Sequence, residues 1–300
     1  MRMTVAAPAK INLFLDITGK RNDGYHLINT VMQSVSLYDD VTVSTDENSN
    51  EVNVSCNDPD IPCDGTNTVS VAVREFFEYT QLTPLGINIR IKKRIPSQAG
   101  MAGGSTDAAA VIYALNNLLN AGLTTEEMAE IGEKVGADVP FCINGGTISA
   151  TGIGTIFSPL PDMPDCTFVA VKPGFRISTR EAYEKSDIKG YDSPKSPDAV
   201  IDAICNGSIE GIAKNMYNKF EDVMGIQEIE QIKDTMKNCG ALGALMTGSG
   251  SVVFSVFDDE GLAQDCRDEL KKNYENVYIF NPVSYGPRQI NLSLFGTLFD

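Results

Sequence analysis

Apolar and polar positions alternate at short range in the first part of the chain and then switch to helical spacing. Residues 4–16 carry a β-type run, and residues 31–37, 41–44 and 52–55 follow as short alternating segments. Val69, Val73, Phe76 and Phe77 fall on one stripe and predict a helix over residues 67–79. Ile87, Ile89 and Ile91 alternate strictly with Asn88 and Arg90, the pattern of a half-buried strand. That strand ends at Pro96 in a loop of small residues, and a helix is predicted from about 105 to 119. Thr124 and Glu127 then spell a capping box, Leu123 and Met128 a hydrophobic staple, and Gly136 a stop. The turn Asn144-Gly145-Gly146 leads into a hairpin-like stretch that ends near residue 157.

Pro159, Pro161 and Pro164 cluster where one domain is expected to give way to another. Beyond them the pattern predicts a strand at 167–171 and helices near 178–186, 197–206, 209–217 and 226–238. Strands at 242–246 and 252–257 flank Thr247-Gly248-Ser249-Gly250-Ser251, and a helix at 260–274 and a strand at 277–280 follow. Runs of strands followed by runs of helices predict an α+β chain. The expected division is 1–158, 159–286 and a C-terminal appendage, 287–300.

Composition narrows the function. Three hundred residues suit two domains of about 150 residues each. A net charge of −16, with Lys92-Lys93-Arg94 as the longest basic run, argues against a nucleic-acid partner. Seven scattered cysteines without a Cys-x-x-Cys, and His26 as the single histidine, argue against zinc and fit reduced thiols in the cytoplasm. There is no run of about 18 apolar residues and no signal-peptide pattern at the start. A cytoplasmic protein with no membrane partner is expected.

The strongest chemical signal is Pro96-Ser97-Gln98-Ala99-Gly100-Met101-Ala102-Gly103-Gly104-Ser105-Thr106. Small residues let a backbone close around an anion, and the helix that follows offers unpaired N–H groups and the positive end of its dipole. Ser105 and Thr106 add hydroxyls. The Walker A spacing and its lysine are missing, and so is G-x-G-x-x-G. A flexible loop with an ordinary Ser/Thr cap is the plainer reading.

Lys10 interrupts the apolar strand Pro8-Ala9-Lys10-Ile11-Asn12-Leu13 and must snorkel, pair or serve a site. Asp138 follows a helix in Gly136-Ala137-Asp138-Val139-Pro140, where it is a turn former, a cap or a base. Taken together, an aspartate to accept a hydroxyl proton and a lysine to steady negative charge suit phosphoryl transfer to an alcohol.

These motifs resemble the GHMP kinases. The resemblance is carried by Pro8 to Leu15 with Asp23-Gly24-Tyr25-His26, by the loop with Asp107-Ala108-Ala109, and by Thr247 to Ser251. It covers residues from about 4 to 285 and implies a two-domain fold with the active site in the cleft between an ATP-binding domain and a C-terminal α+β domain. The loop from Pro96 to Thr106 would hold ATP, with Lys10 and Asp138 as the catalytic pair. The Asp-Gly-Tyr-His segment points to a substrate with a nucleobase, a cytidyl-diphosphate polyol of isoprenoid precursor synthesis phosphorylated on a tertiary hydroxyl. By the same resemblance Asn12 and Thr179 would contact the polyol, Tyr25 and His26 the cytosine, and Tyr183 its other face. Tyr25 and His26 also fit a surface turn, and Tyr183 a helix core. Many relatives have Gly-x-Gly-Leu-Gly where this chain has Gln98-Ala99-Gly100-Met101-Ala102. Mg²⁺ is expected with ATP, although no carboxylate can be named as its ligand. A kinase of the same fold for mevalonate, homoserine or a sugar is the alternative, and a non-catalytic nucleotide sensor is a more distant one.

Overall fold

The structure is a computed structural model that describes residues 1–191 and 195–290. It opens with two long strands, β1 (Arg2–Lys20) and β2 (His26–Asp46), paired antiparallel along nearly their whole length. The segments expected at 31–37 and 41–44 are therefore one strand. On polarity alone Tyr38-Asp39-Asp40 reads as a break. Asp39, however, is fully buried, and its Oδ1 accepts the backbone N–H groups of Arg94 and Ile95 at 2.5 and 2.9 Å.

The first half continues with β3 (Val52–Cys56), α1 (Thr68–Thr80), β4 (Gly86–Lys92), α2 (Gly103–Leu118), α3 (Thr125–Val135), α4 (Val139–Asn144), β5 (Thr147–Thr151) and β6 (Ile156–Pro159). Its sheet is covered by helices on one face, with Val41, Val43 and Ile89 packed against Val73, Phe76 and Leu115. The capping box forms as expected. Thr124 Oγ1 accepts the Glu127 N–H at 3.2 Å, and Glu127 Oε2 accepts the Thr124 N–H at 2.8 Å.

The second half runs β7 (Thr167–Lys172), α5 (Thr179–Lys189), α6 (Asp198–Cys205), α7 (Ile209–Asn215), β8 (Tyr217–Asn218), α8 (Lys219–Met224), α9 (Gln227–Asn238), β9 (Gly243–Met246), β10 (Val253–Phe257), α10 (Glu260–Leu270), β11 (Asn276–Phe280) and β12 (Arg288–Gln289). Its sheet is antiparallel in the order β11-β7-β10-β9. The chain changes sheets between β6 and β7, across the proline cluster. Two short pieces return to the first sheet, where Tyr217 pairs with Phe14 and Gln289 with Val5. Part of the expected appendage thus belongs to a sheet, and residues 291–300 lie outside the described residues. The elements α4, β8 and α8 are too short to leave a periodic pattern and were not expected. Among the described residues no helix is long and apolar enough to cross a membrane.

One irregularity in the β1–β2 pairing decides where the site lies. The β1–β2 register shifts between Pro8 and Ala9. Val5 and Ala7 pack under the helices of the first half, whereas Ala9, Ile11 and Leu13 pack in a second core with Phe168 and Phe254. In an unbroken strand residues of one parity share a face, so the irregularity re-aims the strand. Past it, the odd-numbered residues face the second half, and Lys10 and Asn12 alternate away from them.

Candidate active site

Lys10 and Asn12 sit side by side on β1 and are 5% and 3% exposed. Thr30 on β2 donates its hydroxyl to Phe14 O (2.7 Å) and so accepts from Asn12 Nδ2 (2.8 Å). This fixes the amide and turns Asn12 Oδ1 toward Lys10 Nζ, which donates to it at 2.6 Å. The lysine is thereby buried with a partner and does not snorkel to solvent. Its Nζ lies 3.9 Å from Asp138 Oδ2.

Asp138 occupies the residue before α4, but its side chain makes no capping hydrogen bond. Its backbone carbonyl accepts the Cys142 N–H, while the carboxylate is left to the cavity with 44% of the side chain exposed. The capping reading of Asp138 is therefore excluded by the geometry. Lys10, Asn12, Asp138, Thr179, Tyr183 and Gly248 are among the residues that line this cavity of about 380 Å³.

The loop before α2 forms a second cavity of about 390 Å³, toward Thr68, Lys93 and Arg176. Gln98, Gly100 and Ala102 border both spaces. These three residues have positive φ, at 52°, 76° and 58°. Left-handed residues at alternate positions turn successive N–H groups inward, as in anion-binding nests. Two of the three are not glycine, which costs about 1–2 kcal/mol each. Here the chain departs from Gly-x-Gly-Leu-Gly and keeps the backbone shape at the expense of strain. The first turn of α2 carries no acidic residue and no side-chain cap, in contrast to α1, α3 and α5, which Asn67, Thr124 and Ser178 cap. Its leading N–H groups and dipole are left without a side-chain cap.

The expected loop residues divide by role. Ala99 and Met101 turn their side chains into the core between the sheets, and Met101 O accepts the Lys10 N–H at 3.2 Å. Ser97 Oγ donates to Asp58 Oδ2 at 2.9 Å. Thr106 differs from expectation. It is fully buried and donates its hydroxyl to Pro8 O at 2.7 Å, so it ties α2 to β1 and offers no hydroxyl to the cavity. Gly103, Gly104 and Ser105 line the space, as does Pro96 at its entrance.

The Thr247–Ser251 motif buttresses the loop. A Cβ on Gly100 would lie 2.2 Å from Thr247 O, so the two backbones touch. Thr247 Oγ1 accepts the Asn12 N–H at 3.0 Å, and Asn218 Nδ2 donates to Met246 O and Gly248 O at 2.6 and 2.8 Å. Ser249 and Thr179 join their hydroxyls at 2.8 Å on the cavity wall. Asn218 escaped the sequence reading because a polar residue before a short helix leaves no distinguishing signal. Arg176 also escaped it. It reaches Asp60 Oδ2 (3.1 Å) and Gln98 Oε1 (3.4 Å) at the loop side of the cleft.

The aromatic group differs from a sandwich with open slots. Tyr25 is 60% exposed. The His26 ring stacks directly on Tyr183, with centroids 4.3 Å apart, and Phe220 meets Tyr183 edge-on at 4.9 Å. Tyr183 is half core and half wall, and burial pushes its phenol up to about 12.

Among the described residues no group of three or more His, Cys, Asp or Glu could hold a metal ion.

Comparison with known proteins agrees with this geometry. The model of the GHMP kinases N terminal domain matches residues 67–146, and that of the GHMP kinases C terminal matches residues 200–276. A 4-diphosphocytidyl-2-C-methyl-D-erythritol kinase of Clostridium botulinum (strain Alaska E43 / Type E3) is 43% identical over 279 residues, 92% of this chain and 99% of that one. A crystal structure of 4-(cytidine 5'-diphospho)-2C-methyl-D-erythritol kinase superposes with a TM-score of 0.79 at 28% identity, covering 94% of this chain and 99% of that chain. A homoserine kinase from Cytophaga hutchinsonii shares the fold, with a TM-score of 0.77 at 18% identity over 96% and 97% of the two chains. Matching family models over both halves, together with relatives of this identity along almost the whole length, establish that the chain belongs to the GHMP kinase family.

Proposed function

We propose that the chain transfers the γ-phosphate of ATP to the C2 hydroxyl of 4-diphosphocytidyl-2-C-methyl-D-erythritol, giving the 2-phosphate and ADP. One observation carries the reading: Lys10 and Asp138 stand 3.9 Å apart on the wall of one cavity, and the edge of that cavity is the loop that opens onto the other. The loop from Pro96 to Ser105 and the uncapped start of α2 hold the phosphates by backbone N–H groups. The polyol lies against Asn12 and Thr179. Tyr25 and His26 take the cytosine, and Tyr183 supports it through the His26 ring.

Asp138 accepts the hydroxyl proton as the oxygen attacks phosphorus, and the bond to the ADP oxygen breaks. Lys10, held by Asn12, stabilises the charge on the attacking oxygen and the transferring group. Mg²⁺, when bound with ATP, would supply neutralisation of phosphate charge in this chemistry.

ADP formation with ATP and the cytidyl polyol, set against reactions without acceptor and with mevalonate, homoserine and galactose, tests the assignment. Turnover of one of those alcohols, with none of the cytidyl polyol, would overturn it.

A further inference from the structure

Behind the stacked pair His26–Tyr183 lies a polar cluster that the phosphoryl-transfer chemistry does not use. Its centre is Asp187 on α5, one turn beyond Tyr183. Asp187 Oδ1 faces His26 Nε2 at 2.6 Å and receives the hydroxyl of Tyr191, while Oδ2 receives Lys20 Nζ at 2.6 Å. The Lys20 ammonium, the Tyr191 hydroxyl and His26 hold this carboxyl well below the usual carboxylate range, so it is an acceptor only. An acceptor against Nε2 requires that Nε2 carry a hydrogen. In neutral imidazole the other nitrogen, Nδ1, is then the acceptor. Stacking on Tyr183 holds the plane of the ring.

We infer that Asp187 is a positioning residue that sets base specificity: by accepting from Nε2–H of His26 it presents Nδ1 as a hydrogen-bond acceptor, so the site takes a pyrimidine bearing an amino group at C4 and rejects one bearing an oxygen there. The inference rests on the proposed reading that His26 contacts the base. Cytosine offers an N4–H₂ donor to such an acceptor. Uracil offers a carbonyl oxygen at the same place, and two acceptors facing each other leave both unpaired. A site built to pair with a donor discriminates strongly against an analogue lacking it.

Asp187→Asn is the informative change. Lys20 has only donors and takes the amide oxygen, which turns the amide NH₂ toward His26. Nε2 then becomes the acceptor and Nδ1 carries the hydrogen. Lys20→Met breaks the same cluster but keeps a carboxylate against Nε2. A merely structural role of the cluster would make the two variants behave alike.

His26 is the only histidine in the chain, so a ¹⁵N-histidine-labelled sample gives one imidazole to read. In mildly alkaline buffer the wild type is expected to show Nε2–H with an unprotonated Nδ1, and Asp187→Asn the reverse. With kcat/KM measured for the cytidyl substrate and its uridyl analogue, the wild-type preference for cytidyl should fall about tenfold or more in Asp187→Asn. It should be unchanged in Lys20→Met. An Nδ1–H or imidazolium form in the wild type overturns the inference, as does an unchanged preference in Asp187→Asn. Wild-type protein that does not turn over the cytidyl substrate at all overturns the proposed function instead, and that result precedes any variant.

Discussion

Lys93 and Lys10 both meet aspartates, and the two meetings are built differently. Lys93, just past β4, has its Nζ 2.5 Å from Asp39 Oδ2 and 2.7 Å from Asp107 Oδ2, and all three side chains are almost fully buried. Burial alone would lower the Lys93 ammonium, yet Asp107 and Asp39 beside it hold it above its ordinary value. Burial pushes the Asp107 carboxyl well above the usual range against the pull of Lys93, and among the described residues its Oδ1 has no hydrogen-bond partner. This triad lies behind the phosphate loop, with Lys93 Nζ 3.1 Å from where a Cβ on Gly103 would sit. Lys10 by contrast stands 3.9 Å from a carboxylate that is half open to a cavity. The closed triad fastens the start of α2 to β2. The open pair leaves its carboxylate oxygens on the wall of a cavity. Distance and exposure, and not residue type, separate the two arrangements.

The comparison is sharpest when each is broken in turn. Asp138→Asn should lower kcat by about 10²–10⁴-fold, the range of general-base catalysis, with thermal stability and nucleotide binding retained. Steady-state kinetics beside a melting curve will show it, and near-full turnover would move the base elsewhere. Lys93→Met should do the opposite and cost about 3–5 kcal/mol of stability, because two carboxylates are left buried without their cation. Denaturant titration measures the loss. It should shrink on acidification. Burial and like charge raise the folded-state carboxyl pKa above its unfolded value, so protonation favours the fold at low pH, and stability falls as pH rises through that pKa.

Two smaller changes refine the picture. Thr247→Val removes the hydroxyl that accepts the Asn12 N–H inside a fully buried site and should cost about 1–3 kcal/mol. If the third motif buttresses the loop, KM for ATP should rise as well. Tyr25→Ala should be mildest, raising KM for the cytidyl substrate by about three- to tenfold as one aromatic contact is lost. Its KM for ATP should stay close to wild type, and a matching rise there would remove Tyr25 from the base site.

Much of the fold was legible in the sequence because the signals are local. The capping box at Thr124, the alternation at Ile87 to Ile91 and the stripe on α1 each depend on neighbours within a turn or two. The small-residue loop could be read as a phosphate cradle for the same reason. The continuity of β2 was not legible. A buried aspartate at position 39 looks like a loop residue until Arg94 and Ile95 are seen to supply its donors. Thr106 looked like a ligand hydroxyl, and only the nearness of Pro8 O gave it another use. Asp187 carried no signal at all, since an aspartate on an exposed helix is ordinary until its three partners converge.

By itself the sequence determined most of the strands and helices, where the small-residue loop falls and which lysine and aspartate stand out from their surroundings. The tertiary structure alone decided that Lys10 faces Asp138, that His26 leans on Tyr183 against Asp187, and that Lys93 is held between Asp39 and Asp107. The physical reason is the range of the interactions. Periodicity and capping act over a few residues and are written in order along the chain. Facing side chains depend on a register shift between β1 and β2 and on the packing of two sheets, which no short window contains.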